Sequence, residues 1–266
     1  FGSVGWHMLG LALTFLIMLF GVSGGIEKMN KIMMPLFFVF FLILLFRVAS
    51  LPGAVEGYKY LFIPRWELLG NVKTWVYALG QAFFSLSLAG SGTIVYGSYL
   101  SDDADVVTCA RNVAFFDTCA ALLAGMVVIP AVFAFGLDVT AGPPLMFITL
   151  PAVFNQMPAG WLFAVIFFIA VLFAAITSLM NLFETPIEAL QEQFQMSRKA
   201  AVACVAFIAA AVGVFIESAD AVSMWMDAVS IYMIPLGALL AAVMFFWVCP
   251  KGFAREQVQK GREKML

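Results

Sequence analysis

The residues that could do chemistry in this chain are few, and they sit inside apolar runs. "FFSLSLAGSGTIVYGSY" (83–99) places four serines and a threonine around the middle of a stretch otherwise hydrophobic enough to cross a bilayer. "FAAITSLMN" (173–181) sets Ala174, Thr177 and Ser178 at i, i+3 and i+4, which puts one backbone carbonyl and two hydroxyls on a single helix face. Asp117 lies in "RNVAFFDTCAALLAG" (111–125), an acid inside a predicted helix. Hydroxyl, carbonyl and carboxylate oxygens are the donors that a hard cation such as sodium takes.

Each group also has a plainer reading. Gly90 and Gly92 flank Ser91 at membrane depth. The segment is either a continuous helix with a Gly/Ser packing groove or a helix broken on purpose. Unwound backbone at that depth is tolerated only where it lines a cavity or is buried in protein. It would expose carbonyls to a cation, and the resuming helix could meet a carboxylate. Ala174, Thr177 and Ser178 are either cation ligands or a seam of small residues between helices. An acid in a span costs about 3 kcal/mol on insertion scales, so Asp117 is either a functional acid or a hydrogen-bonded structural one near the cytoplasmic end. Glu184 and Glu188 lie late in their predicted span, where they are expected to reach the cytoplasmic interface as structural residues.

Composition decides the class. Hydrophobic residues make up 64% of the chain and charged ones 11%, with a mean hydropathy of +1.01, whereas about a quarter of a soluble domain is charged. Such a chain cannot cover itself with polar surface in water and is an integral membrane protein. It has no basic stripe for nucleic acid. Cys109, Cys119, Cys204 and Cys249 lie in or beside apolar runs without metal-ligand spacing and are read as core fillers. The start, "FGSVGWHMLG", has neither an initiator Met nor a charged signal-peptide region, as expected of a piece of something longer.

A bilayer core needs about 20 apolar residues per helix. That ruler predicts spans at roughly 5–23, 30–50, 73–98, 106–136, 158–192, 198–216 and 220–249. If the first ends inside, the inner segments hold Lys28, Lys31, Arg111, Arg198, Lys199, Lys251, Arg255, Lys260, Arg262 and Lys264. The outer ones hold Arg47, Lys59, Arg65 and Lys73. The positive-inside rule then places the N-terminus outside and the C-terminus in the cytoplasm. The link 136–158 turns at Gly142-Pro143-Pro144 and continues apolar but too short to cross, which predicts a re-entrant or interfacial helix over the outer face.

"GQAFFSLSL" (80–88), "YGSY" (96–99), "FITLPAVF" (147–154), "TSLMN" (177–181), "PIEAL" (186–190) and "SRK" (197–199) follow one another in an order and spacing that resemble the neurotransmitter:sodium symporter family. The likeness covers essentially the whole chain and is nearest to bacterial amino-acid transporters. It implies an all-α, polytopic, leucine-transporter-like inverted-repeat fold of about seven transmembrane helices, matching helices four to ten of the family. Residues 1–50 would be the last two helices of the first repeat and 51–72 an extracellular loop. Residues 73–249 would form the second five-helix repeat with a broken first helix, and 250–266 a cytoplasmic basic tail. Helices one and three, with much of the coordination sphere, are absent, so the chain by itself is not expected to transport.

The resemblance also implies roles. Phe84 matches the aromatic that lids the substrate, Ser85 a ligand of the first sodium, and Ser87 the unwound strand that meets the substrate. Ala174, through its carbonyl, and Thr177 and Ser178, through hydroxyls, match the second sodium site. Ser178 and Leu182 would line the substrate pocket. Asp227 resembles an outer-gate acid. Two positions depart from the pattern. Asp117 stands where many members place an asparagine ligand of the first sodium, and Ala121, one turn on, supplies no second acid. A fixed carboxylate there points to chloride independence. Gly90 stands where relatives often carry a bulky residue, which points to a roomier pocket.

The implied function is sodium-coupled symport of neutral, bulky amino acids by alternating access in the plasma (bacterial inner) membrane. Na+ is the coupling ion, with no organic cofactor. The partners are the substrate, sodium, the lipid bilayer and the missing N-terminal helices. No covalent bond is made, so the protein is not expected to be an enzyme. Two rivals remain at this point, a seven-span ligand-sensing receptor and a non-transporting membrane assembly subunit. A retinal protein needs a lysine within a late span, and 220–249 has neither Lys nor Arg.

Overall fold

The computed structural model describes residues 2–21, 25–88, 92–136, 146, 150–216, 218–259 and 261. Among them five helices are long and apolar enough to cross a membrane: Glu27–Ala49, Val106–Ala134, Gly160–Phe194, Arg198–Phe215 and Asp220–Val248. The other two predicted spans are the shorter α1 (Gly2–Met18) and a helix in two pieces, α4 (Val72–Ser85) and α5 (Gly92–Ser98). The chain divides into two compact units, Phe1–Arg65 with Ala120–Ser223, and Trp66–Cys119 with Met224–Leu266.

The first unit is organised around α8 (Gly160–Phe194), whose 35 residues would extend roughly 50 Å at the helical rise, well beyond a bilayer core of about 30 Å. It packs on α2 (Glu27–Ala49), α9 (Arg198–Phe215), α1 and the short α7 (Leu150–Gln156). Two left-handed residues bound it, Ala159 (φ 55°) and Gln195 (φ 51°). The Ser197 hydroxyl then accepts from Ala200 N to open α9. Two apolar clusters line α8 in sequence. Phe167 and Ala170 join Phe41, Leu44, Val127 and Phe154. Farther along, Ile176, Met180 and Ile187 join Phe15, Met18, Ile26 and Val205. The link expected to hold a short apolar helix contains α7, which buries Leu150, Val153 and Phe154. The loop 51–72 holds α3 (Ala54–Phe62) and, in the second unit, a 3₁₀ turn (Trp66–Gly70).

The second unit contains α4, α5, the start of α6 (Val106–Ala134) and most of the last span. That span is less regular than its composition implied. After α10 (Ala219–Asp227) the backbone widens to a π-helix over Ala228–Met233, returns to α11 (Ile234–Val243), and widens again over Met244–Val248. Ile234 N donates to Val229 O, five residues back, and Cys249 N donates to Met244 O in the same way. The first π segment seats on α4 at Gly80, where a built Cβ would lie 2.8 Å from Ser230 O. Only glycine permits that approach. Residues 224–248 include no buried side chain, and the apolar ones exposed there, from Met224 to Val248, suit a hydrocarbon solvent.

Candidate functional site

The break in the fourth helix is built by its own backbone. α4 stops at Ser85, and Leu86 N and Ser87 N donate to Ala82 O and Phe84 O at 3.0 and 3.1 Å. Ser87 then adopts φ 55°, a left-handed conformation uncommon for a residue with a Cβ. A helix ended at membrane depth leaves carbonyls without amide partners, which must be met within the protein or by water in a cavity. Thr93, in the first turn of α5, answers this. Its hydroxyl donates to Ser87 O at 2.8 Å and lies 3.3 Å from Leu86 O. Thr93 was not among the expected site residues. Its signal was a short hydroxyl directly after Gly-Ser-Gly, a type that bonds readily to nearby backbone.

Two of the expected residues come together at this break. Ser85 Oγ donates to Asp117 Oδ1 at 2.5 Å, across 32 residues of sequence. Asp117 is half-buried on α6, and its other oxygen remains able to accept. Ser87 is half-buried and Phe84 is exposed. Gly90 lies outside the described residues, as do Ala89 and Ser91, so the pocket-size expectation rests there on sequence alone. Asp227 is exposed at the end of α10, where the π-helix begins.

The second group stays within α8. Thr177 is 2% exposed, and its Oγ1 donates to Phe173 O and Ala174 O, each at 3.0 Å. Its hydrogen is thereby directed onto its own helix, leaving the oxygen lone pairs as acceptors. Ser178, the next residue, is exposed, and so is Leu182 one turn on. The Ala174 carbonyl, the two hydroxyls and Leu182 share a side of the helix by their spacing. Ala121 is an exposed α6 residue.

Glu184 is structural, as expected, but fully buried rather than reaching an aqueous interface. It is 0% exposed, held by Arg198 in a two-pronged pair. Arg198 Nη1 and Nη2 donate to its Oε1 and Oε2, each at 2.9 Å, and Arg198 Nε donates to Met18 O at 3.0 Å. The guanidinium thus joins α8, the start of α9 and the end of α1. The reason is geometric: Arg198 opens α9 right after the left-handed turn at Gln195, which returns the chain alongside α8.

The sequence model of the Sodium:neurotransmitter symporter family matches residues 1–258. The chain belongs to that family. Symporters are transporters rather than enzymes, and the inverted-repeat fold follows from the solved relative. MhsT, crystallised in complex with L-phenylalanine, superimposes with a TM-score of 0.88 at 32% identity, covering 98% of this chain and 62% of that one. An uncharacterized sodium-dependent transporter of Bacillus subtilis is 40% identical over 189 residues, 71% of this chain and 42% of the relative. Another, from Methanocaldococcus jannaschii, is 31% identical over 264 residues, 94% of this chain and 54% of the relative. The symporter chain spans about half the length of these curated relatives.

Proposed function

We propose that this chain is the part of a sodium-coupled symporter that contributes helices four to ten, and that the whole protein carries neutral, bulky amino acids by alternating access. The observation that carries the reading is the Ser85–Asp117 hydrogen bond. It sets a carboxylate and a hydroxyl oxygen at the end of a broken helix, an arrangement a sodium ion would complete. Ser85 and Asp117 then serve the first sodium. The Ala174 carbonyl with the Thr177 and Ser178 hydroxyls serve the second. Phe84, Ser87, Gly90, Ser178 and Leu182 contact substrate. Cation binding would offset the cost of ordering the unwound strand, and the occupied and empty states would differ in which side is open.

The substrate class rests on Gly90. A glycine leaves room that a larger apolar side chain on the substrate can fill, each buried Å² contributing about 25 cal/mol. MhsT, crystallised with L-phenylalanine, is compatible with that choice. The domain division at 50, 72 and 249, the outside N-terminus and cytoplasmic C-terminus, and the inner-membrane location belong to the same proposal.

The test is uptake by the native polypeptide in proteoliposomes. Accumulation of aromatic or branched neutral amino acids should require sodium and persist when chloride is replaced by gluconate. Strict chloride dependence would remove the charge-balancing role from Asp117. Cysteines introduced along 85–91 separate the rivals. Sodium-dependent protection from labelling favours the symporter, whereas indifference to sodium favours a receptor or an assembly subunit.

A further inference from the structure

We propose that α12 (Phe253–Gln259), with Gly252 before it and Gly261 after it, acts as a strap that ties the corner between α5 and α6 to the end of the last span, and that its seating restrains that corner. The strap has two anchors. At one end Gly252, in a left-handed conformation (φ +93°), turns the chain out of the last span into α12 (Phe253–Gln259). There Phe253 packs its ring 5.9 Å from that of Phe245. At the other end Gly261 is also left-handed (φ +68°) and presses on the loop 101–105. A Cβ built on it would run into the carbonyl carbon of Ala104 and lie 2.5 Å from the carbonyl oxygens of Ala104 and Asp103. No side chain tolerates that approach, and few residues tolerate that φ, so position 261 demands glycine twice over.

The loop that receives Gly261 is itself preformed. Ala104 N donates to Ser101 O at 3.0 Å. Asp105 caps α6, accepting from Val107 N at 3.0 Å and from Thr108 Oγ1 at 2.7 Å. Charge favours the seating. The loop carries Asp102, Asp103 and Asp105, whereas the described residues 250–259 carry Lys251 and Arg255 against Glu256. The Ser101 hydroxyl, donating to the Asp103 carboxyl, holds it below the usual range, so the loop stays negative into mild acid.

The corner ends the shorter half of the broken helix and begins the helix that carries Asp117. A conformation that draws the loop 101–105 away from Gly261 loses this contact. A contact made in one conformation and lost in another biases the equilibrium between them. The strap stands on this geometry alone; its part in a transport cycle rests on the reading above.

Hydrogen exchange by mass spectrometry on the native polypeptide in nanodiscs tests it. Gly261→Val should speed exchange of the amides of 99–105 by about fivefold or more, with α5 following, while α9 stays unchanged as an internal reference. Gly136→Ala is the control. That glycine is also left-handed (φ +65°) and meets nothing within 4 Å, but it lies outside the strap, so its replacement should leave 99–105 as it was. Unchanged exchange at 99–105 in Gly261→Val, or an equal rise in Gly136→Ala, overturns the strap. If Gly261→Val does not accumulate, Gly261→Ala asks for one Cβ only and should give a smaller rise in the same amides. Uptake plays no part in this readout, so failure of the transport reading leaves the result interpretable.

Discussion

Two of the carboxylates within the apolar helices, Glu184 and Asp117, are handled in opposite ways. Glu184 is fully buried and meets a built-in counter-charge, both of its oxygens taken by the Arg198 guanidinium. Asp117 is half-buried and, among the described residues, meets the Ser85 hydroxyl rather than a Lys, Arg or His. A hydroxyl orients a carboxylate without neutralising it. The first acid is complete as it stands and belongs to the scaffold of its unit. The second has no built-in counter-charge of this kind, which is what its proposed sodium role draws on. An acid in a membrane span is therefore not functional by its presence alone, and its partner tells the two kinds apart.

The sharpest way to break this contrast is to remove one half of the compensated pair. Glu184→Ala or Arg198→Ala should destabilise the protein by about 3–5 kcal/mol, because each strands the other charge out of water. Thermal unfolding of the purified native polypeptide reads this. The double variant Glu184→Leu/Arg198→Met should recover much of the loss, since neither charge then remains. A single variant as stable as the unmutated protein would show that the pair is not desolvated.

Asp117→Asn should do the reverse. Stability should change little, as the amide oxygen still accepts from Ser85, but apparent sodium affinity in uptake assays should fall about tenfold, the equivalent of about 1.4 kcal/mol. A new chloride requirement in this variant would sharpen the contrast further. Equal sodium dependence before and after the change would place Asp117 with Glu184 among the structural acids.

Thr177→Ala/Ser178→Ala is expected to weaken sodium dependence by a smaller factor, roughly three- to tenfold, because neutral oxygens contribute less than a carboxylate. Uptake over a sodium titration at matched expression decides it, and no change would return this face of α8 to a packing seam.

The smallest effect belongs to Thr93→Val. Losing the hydroxyl that satisfies Ser87 O should cost about 1 kcal/mol of local stability. It should appear as faster amide exchange at 86–88, with the melting temperature almost unmoved. A large drop in global stability would mean that the break is held by Thr93 alone.

Much of this protein is legible in its sequence because a bilayer imposes simple rules. Composition alone requires membrane helices, and their length limits locate the five long helices to within a few residues. Gly90-Ser91-Gly92 marks where a helix would fail, and the 174/177/178 spacing follows from the helical repeat. What the sequence could not supply are relations between side chains far apart along the chain or set by unusual backbone. Nothing in the order of residues says that Ser85 points at Asp117, 32 positions away. Nor does it say that the left-handed turn at Gln195 returns Arg198 to Glu184. The π segments of the last span were also hidden, because apolar composition is the same whether a helix winds four or five residues per hydrogen bond. Hydrophobicity is a sum over residues and can be read along a line. Pairing and backbone winding depend on three-dimensional packing, and only the tertiary structure decided them.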